Sequence, residues 1–280
     1  MSELLEFVLL FALAGTLTGL LMALFGIGGG AFVVPVIDTL FNHLPGLDPV
    51  PMKISVMCSL VAIGMGSSWR ALELLRFRMV SMYTIGVLAA GSVLPALLGV
   101  ALLTRLSGDT LRLLFGVLLA AVGLWTAFGR PAPAPGPAPG PVPSWGRAAD
   151  RSHPLLLLAI GAAAGLASSM FGLGGATLLM PLLTMRARMA AIDAVNVSMV
   201  FVAFATLQSL AMLGVSGALS PSRLAAAGVT GEHAILLAVL TLMVVIAQSF
   251  FSRRLRGIED RLRRRMLAVY LMAAALWMLR

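Results

Sequence analysis

The chain is poor in charge, in acids and in cysteine. Only 11% of its 280 residues are charged, 60% are hydrophobic, and mean hydropathy is +1.00. A soluble domain has about 25% charged residues, so this chain lacks the polar groups to cover a water-facing surface. Its single cysteine, Cys58, excludes a disulfide-stapled secreted scaffold. The three histidines, His43, His153 and His233, fall in loops or at segment ends, so with one cysteine they form no metal cluster. There is no Gly-x-Ser-x-Gly elbow, no His-Glu-x-x-His and no pair of intramembrane carboxylates. Gly30 is followed by Ala31 and Phe32 where a phosphate-binding loop needs Lys and Ser or Thr. The chain therefore reads as neither an enzyme nor an ATP-driven pump, with no cofactor. Apolar content this high also excludes disorder along most of the length.

What is present is an all-α polytopic membrane protein. Apolar stretches fall at 5–24, 31–41, 54–69, 79–103 and 111–129, and again at 154–171, 176–185, 191–213, 233–251 and 266–279. The start, Met1-Ser-Glu-Leu-Leu-Glu6, has no basic region of the signal-peptide kind, so 5–24 is expected to be a retained helix. Between the two sets lies Pro131–Pro143, PAPAPGPAPGPVP. Alternating proline favours an extended chain over a helix. The expected organisation is a first transmembrane repeat at 1–129, a Pro-rich cytoplasmic linker at 130–152 and a second repeat at 153–280. The net charge of +9 indicates cytoplasmic loops rather than nucleic-acid binding.

The halves repeat each other. Gly15, Gly19, Leu20, Phe25, Gly26, Gly28, Gly29 and Pro35 recur 146 residues later as Gly161, Gly165, Leu166, Phe171, Gly172, Gly174, Gly175 and Pro181. Cys58-Ser59-Leu60 matches Val197-Ser198-Met199 less closely. Charge sets the direction of the repeat. The loop 252–265 holds seven arginines, and loop 70–78 holds Arg70, Arg76 and Arg78. Both are expected inside the cell, as are Arg130, Arg147 and Arg151 of the linker and Arg186 and Arg188, which leaves only Lys53, Arg105, Arg112, Arg223 and Arg280 outside. That parity requires 154–186 to cross twice or to enter and return on one side. The expectation is two inverted repeats of about five segments each, nine or ten in all, with glycine-interrupted short or re-entrant helices.

Phe25-Gly-Ile-Gly-Gly-Gly30 and Phe171-Gly-Leu-Gly-Gly175 interrupt apolar pairs, and each is followed by a segment of about half a bilayer at about 1.5 Å per residue. Glycine allows φ > 0 and leaves its amide uncovered. Unwound backbone at membrane depth must be packed in protein or line a wet cavity. Two such breaks at matching places in inverted halves point to a transporter's central site. Each following helix aims free N–H groups and its positive dipole end at the break, which suits a small oxyanion. Ser59, Ser198 and Asn196 could complete its coordination, or could simply bond back to their own helices. Gly15-xxx-Gly19 and Gly161-xxx-Gly165 read as helix-packing faces. Ser67-Ser68-Trp69-Arg70 reads as an interfacial belt, Lys53 and Asp193 as mouth charges or ordinary helix-end residues, and His233 with Glu232 as a loop pair or a proton-coupling pair at the outer mouth.

The doubled F-G-[IL]-G-G-[GA] motif, each copy followed by Pro35 or Pro181, a serine-bearing helix and a basic loop, resembles the sulfite exporter TauE/SafE family. That family is also called the 4-toluene sulfonate uptake permease family. The resemblance covers the chain apart from the linker. It implies a secondary transporter, an exporter of small sulfur anions such as sulfite, thiosulfate or organosulfonates, in a bacterial inner membrane. By position, Phe25, Gly26, Gly28, Gly29, Gly30 and Ser59 in the first half would line the substrate site. Phe171, Gly172, Gly174, Gly175, Asn196 and Ser198 would line it in the second. Where the family tends to have Thr-Ser, this chain has Cys58-Ser59 and Val197-Ser198. The expected partners are that anion, protons as a coupling ion and the lipid bilayer, with assembly into a homo-oligomer open. An anion channel and a non-transporting membrane scaffold are the alternatives.

Overall fold

The computed structural model describes residues 2–25, 29–43, 50–128, 153–187, 189, 191–254 and 260–279. Gly26, Gly28 and the linker 130–152 lie outside the described residues. Every regular element among the described residues is helical. In the first half these are α1 (Ser2–Phe25), α2 (Gly30–His43), α3 (Met52–Arg76), α4 (Met82–Arg105) and α5 (Gly108–Phe128). In the second they are α6 (Pro154–Phe171), α7 (Ala176–Met185), α8 (Ala191–Val215), the short α9 (Pro221–Ala226), α10 (Gly231–Arg254) and α11 (Asp260–Met278).

Seven of these helices are long and apolar enough to cross a bilayer, and α2, α7 and the Arg265–Met278 part of α11 are shorter apolar helices. That is ten apolar segments, with the short ones where the sequence places them. The chain is a multi-pass membrane protein. Its outward faces are apolar, as at Leu9, Leu13 and Leu94, because lipid rather than water covers them.

Local chemistry explains several boundaries. The Ser81 hydroxyl accepts from Thr84 N–H and caps α4. Pro154 at the first helical position opens α6, where no intrahelical donor is needed. Gly172 closes α6 at φ 65°, in the left-handed region, and Gly175 precedes α7 at φ 79°.

The halves interlock rather than sit side by side. Setting aside the short α9, the first helix of each half packs along the fourth helix of the other, α1 on α10 and α6 on α4. Glycine makes both contacts close. A Cβ at Gly15 would lie 2.6 Å from Leu240 O, and one at Gly19 would lie 2.5 Å from Val244 O. Gly91 and Gly99 meet Leu158 and Leu166, while Gly161 and Gly165 meet Leu88 and Ser92. These are the small-residue faces expected from the spacing. The third helices, α3 and α8, face each other, as do the fifth, α5 and α11. Gly116 lies on Ala275 and Leu279, whereas Gly123 lies on Leu271 and Met272, so α5 and α11 run in opposite senses.

Candidate functional site

Gly29–Gly30 and Gly172–Gly175 stand at the tips of two helical hairpins. In the first half, Phe11 meets Phe41 at 5.1 Å and Phe25 stacks on Phe32 at 5.4 Å, so α2 folds back along α1. Tyr270 of α11 reaches Ala31 O from 3.4 Å. That carbonyl has no helical donor, because Pro35 stands four residues on without an N–H.

The two tips touch. A Cβ at Gly30 would collide with Leu173 Cα and Gly172 O. Motifs 146 residues apart in sequence are thus in backbone contact. The third helices flank them. Gly174 faces Val202 and Thr206 of α8 and Ile63 of α3, and Gly175 faces Phe201. The side chains against Gly172, Gly174 and Gly175 are uncharged. Gly29, for its part, is covered by the side chain of Met22.

The serines have separate fates. Ser59 Oγ lies 2.7 Å from Val56 O and 3.0 Å from Gly172 O, so its proton is committed to carbonyls. It is a strut of the second tip, not a free donor. Ser198 Oγ is buried with no hydrogen-bond partner among the described residues. Asn196 is also buried, two residues earlier on α8.

The sequence reading missed two hydroxyls. Ser168 Oγ, in the last turn of α6, and Thr177 Oγ1, in the first turn of α7, are buried without a partner among the described residues. Thr177 stands two residues past Gly175, so its place in the first turn was the available signal. Backbone donors are free there as well. Leu179 N–H bonds to Gly175 O at 2.9 Å, but the amides of Leu173 through Leu178 have no partner among the described residues. At the first tip, Phe32 and Val33 both donate to Gly29 O, at 2.9 and 2.8 Å. Phe171 packs on Phe115 at 5.8 Å and Phe25 on Phe32, so both motif phenylalanines wall the tips.

Lys53 Nζ donates to Thr104 O at 2.8 Å. Asp38 is buried, 3.2 Å from Arg112 Nη2, and accepts from Asn42 Nδ2 at 2.9 Å. Asp193 stands in the first turn of α8. His233, in the first turn of α10, is buried, its ring 4.9 Å from Phe41 and its Nδ1 2.6 Å from Thr230 Oγ1. No group of three or more His, Cys, Asp or Glu suited to a metal occurs among the described residues.

A chain of apolar spanning helices enclosing two touching, glycine-broken hairpin tips belongs to the class of polytopic membrane transporters. The sequence profile of the sulfite exporter TauE/SafE family matches residues 11–278, nearly the whole length, and the chain belongs to that family. It is 27% identical over 184 residues to a protein of Methanocaldococcus jannaschii described as a probable membrane transporter protein. That match covers 64% of each chain. No solved structure matches.

Proposed function

We propose that the protein is a secondary transporter that exports small sulfur anions such as sulfite, thiosulfate or organosulfonates. The observation that carries this reading is the meeting of the two glycine tips, where amides and hydroxyls stand uncommitted and no adjoining side chain is charged. A neutral cage of N–H and O–H donors can hold an anion and still release it, and the dipole end of α7 adds to its pull. Gly29 and Gly30 of one half and Gly172, Gly174 and Gly175 of the other line the site; Gly26 and Gly28 belong to it by motif position alone. Ser198 and Asn196 supply side-chain donors, and Ser59 holds the second tip in shape.

The opposed directions of α5 and α11 support an inverted repeat. In that arrangement the site sits near the membrane midplane, and rocking of one set of helices opens it to either side. The arginine-rich loops and the linker 130–152 face the cytoplasm of a bacterial inner membrane, where their charge draws anions to the inner mouth. Protons or the membrane potential drive export.

The test is flux in proteoliposomes across a panel of sulfite, thiosulfate, sulfoacetate and taurine, with and without a pH gradient. Saturable counterflow of at least one sulfur anion is expected. Unitary conductance steps would replace the carrier with a channel. No flux, together with a melting temperature indifferent to all four compounds, would end the transporter reading.

A further inference from the structure

Beside α3 and α10 lies a groove of about 660 Å³ lined by Trp69, Val245, Ile246, Ser249, Phe250 and Arg254. It lies apart from the glycine tips. Trp69 is 70% exposed and Phe250 52%, both on the lipid-facing side of spanning helices. The Arg254 guanidinium rests 4.3 Å over the Phe250 ring. It forms no ion pair among the described residues, unlike Arg70, which holds Glu73 at 2.5 Å.

We propose that this groove binds one anionic phospholipid, its phosphate on Arg254 and an acyl chain along Ile246 and Val245. The geometry fits such a ligand. Val245 to Arg254 is nine helical steps, about 13 Å at 1.5 Å each, enough to run from a headgroup well into the hydrocarbon. Tryptophan at the rim is at home at the headgroup boundary. In sequence Arg254 belongs to the seven-arginine run 253–265, and that charge favours an anionic over a zwitterionic headgroup.

The other half closes the corresponding gap. Gln208 matches Trp69 by the register that pairs Ser198 with Ser59. Its amide bridges α8 to α4, with Oε1 3.2 Å from Ser92 Oγ and Nε2 3.4 Å from Val93 O. A polar clasp thus stands where the first half has an open apolar slot. Arg105, at the end of α4, is the natural control cation.

The experiment is native mass spectrometry of the full chain in detergent. The probe is an equal mixture of phosphatidylglycerol and phosphatidylcholine with the same acyl chains. Wild type should retain phosphatidylglycerol preferentially. Arg254→Gln should lower that preference about fivefold, the worth of one arginine near an anionic headgroup. Arg254→Lys and Arg105→Gln should keep it. Trp69→Ala should reduce retention of both lipids alike, because it removes apolar contact and no charge. Equal retention of the two lipids by wild type would overturn the proposal, as would an undiminished preference in a folded Arg254→Gln variant.

Discussion

The two hairpin tips share a motif and are held differently. At the second, three glycines adopt φ of 65°, 65° and 79°, and a serine from the other half grips the Gly172 carbonyl. At the first, the Gly29 carbonyl takes two amides from its own helix, and a methionine side chain lies over the glycine. The serine matching Ser59 is Ser198, and its hydroxyl has no partner among the described residues. Repetition therefore placed the breaks symmetrically while the surrounding atoms divided the labour. The second tip is fixed by a serine from the other half, whereas the Gly29 carbonyl is held within its own helix.

Six substitutions, taken in four steps, test that division, beginning with the largest effect. Gly172→Ala puts a side chain at φ 65° and drives it into Ser59 and Val56. It should cost about 2–5 kcal/mol, from left-handed strain plus overpacking. Thermal melting in detergent measures this, and anion flux should disappear with it. A melting temperature within a degree or two of wild type would mean the second tip is not rigid.

Next comes the tether of the first hairpin. Asp38→Ala strips the partner from Arg112 and should cost about 2 kcal/mol, below the full value for a buried pair because the Arg112 side chain is 31% exposed. Its counterpart by the 146-residue offset is Thr184, which merely bonds back to Met180 O at 2.9 Å. Thr184→Ala should change the melt little. Equal losses would erase the distinction between the hairpins.

The serines come third. Ser59→Ala should cost about 1 kcal/mol of stability through its lost hydrogen bond and leave substrate affinity near wild type. Ser198→Ala should spare stability and raise the KM for the transported anion about fivefold, the worth of one hydrogen bond of about 1 kcal/mol. Counterflow kinetics beside melting curves separate the two. Exchange of these outcomes would assign the free donor to the wrong half.

The smallest effect belongs to Gly29→Ala. The atoms nearest the added methyl all belong to the Met22 side chain, which is flexible enough to move aside. A loss under about 1 kcal/mol is expected. A loss as large as that of Gly172→Ala would show the first tip to be as tightly built as the second.

Much of the fold was legible in the sequence because its causes are local or periodic. Gly15-xxx-Gly19 and Gly161-xxx-Gly165 announced close helix contacts, and both occur. The short segments after the glycine runs appear as α2 and α7. The helices that those glycines pack against were not legible. Nothing in Gly15 says that its partner is Leu240. Within the site, the glycines were visible as breaks, whereas Thr177 and Ser168 were hidden as ordinary helix hydroxyls. Their interest comes from lacking a partner, which is a property of the surroundings.

Composition, charge and the doubled motif by themselves determined a multi-pass helical membrane protein with two similar halves and a backbone break in each. Those conclusions follow from burial and backbone sterics, which act within a few residues. Only the tertiary structure decided that the breaks touch, that each half clasps the other, and that Ser59 is committed while Ser198 is not. A hydroxyl's role depends on whichever carbonyl lies within 3 Å, and for Ser59 that carbonyl is 113 residues away.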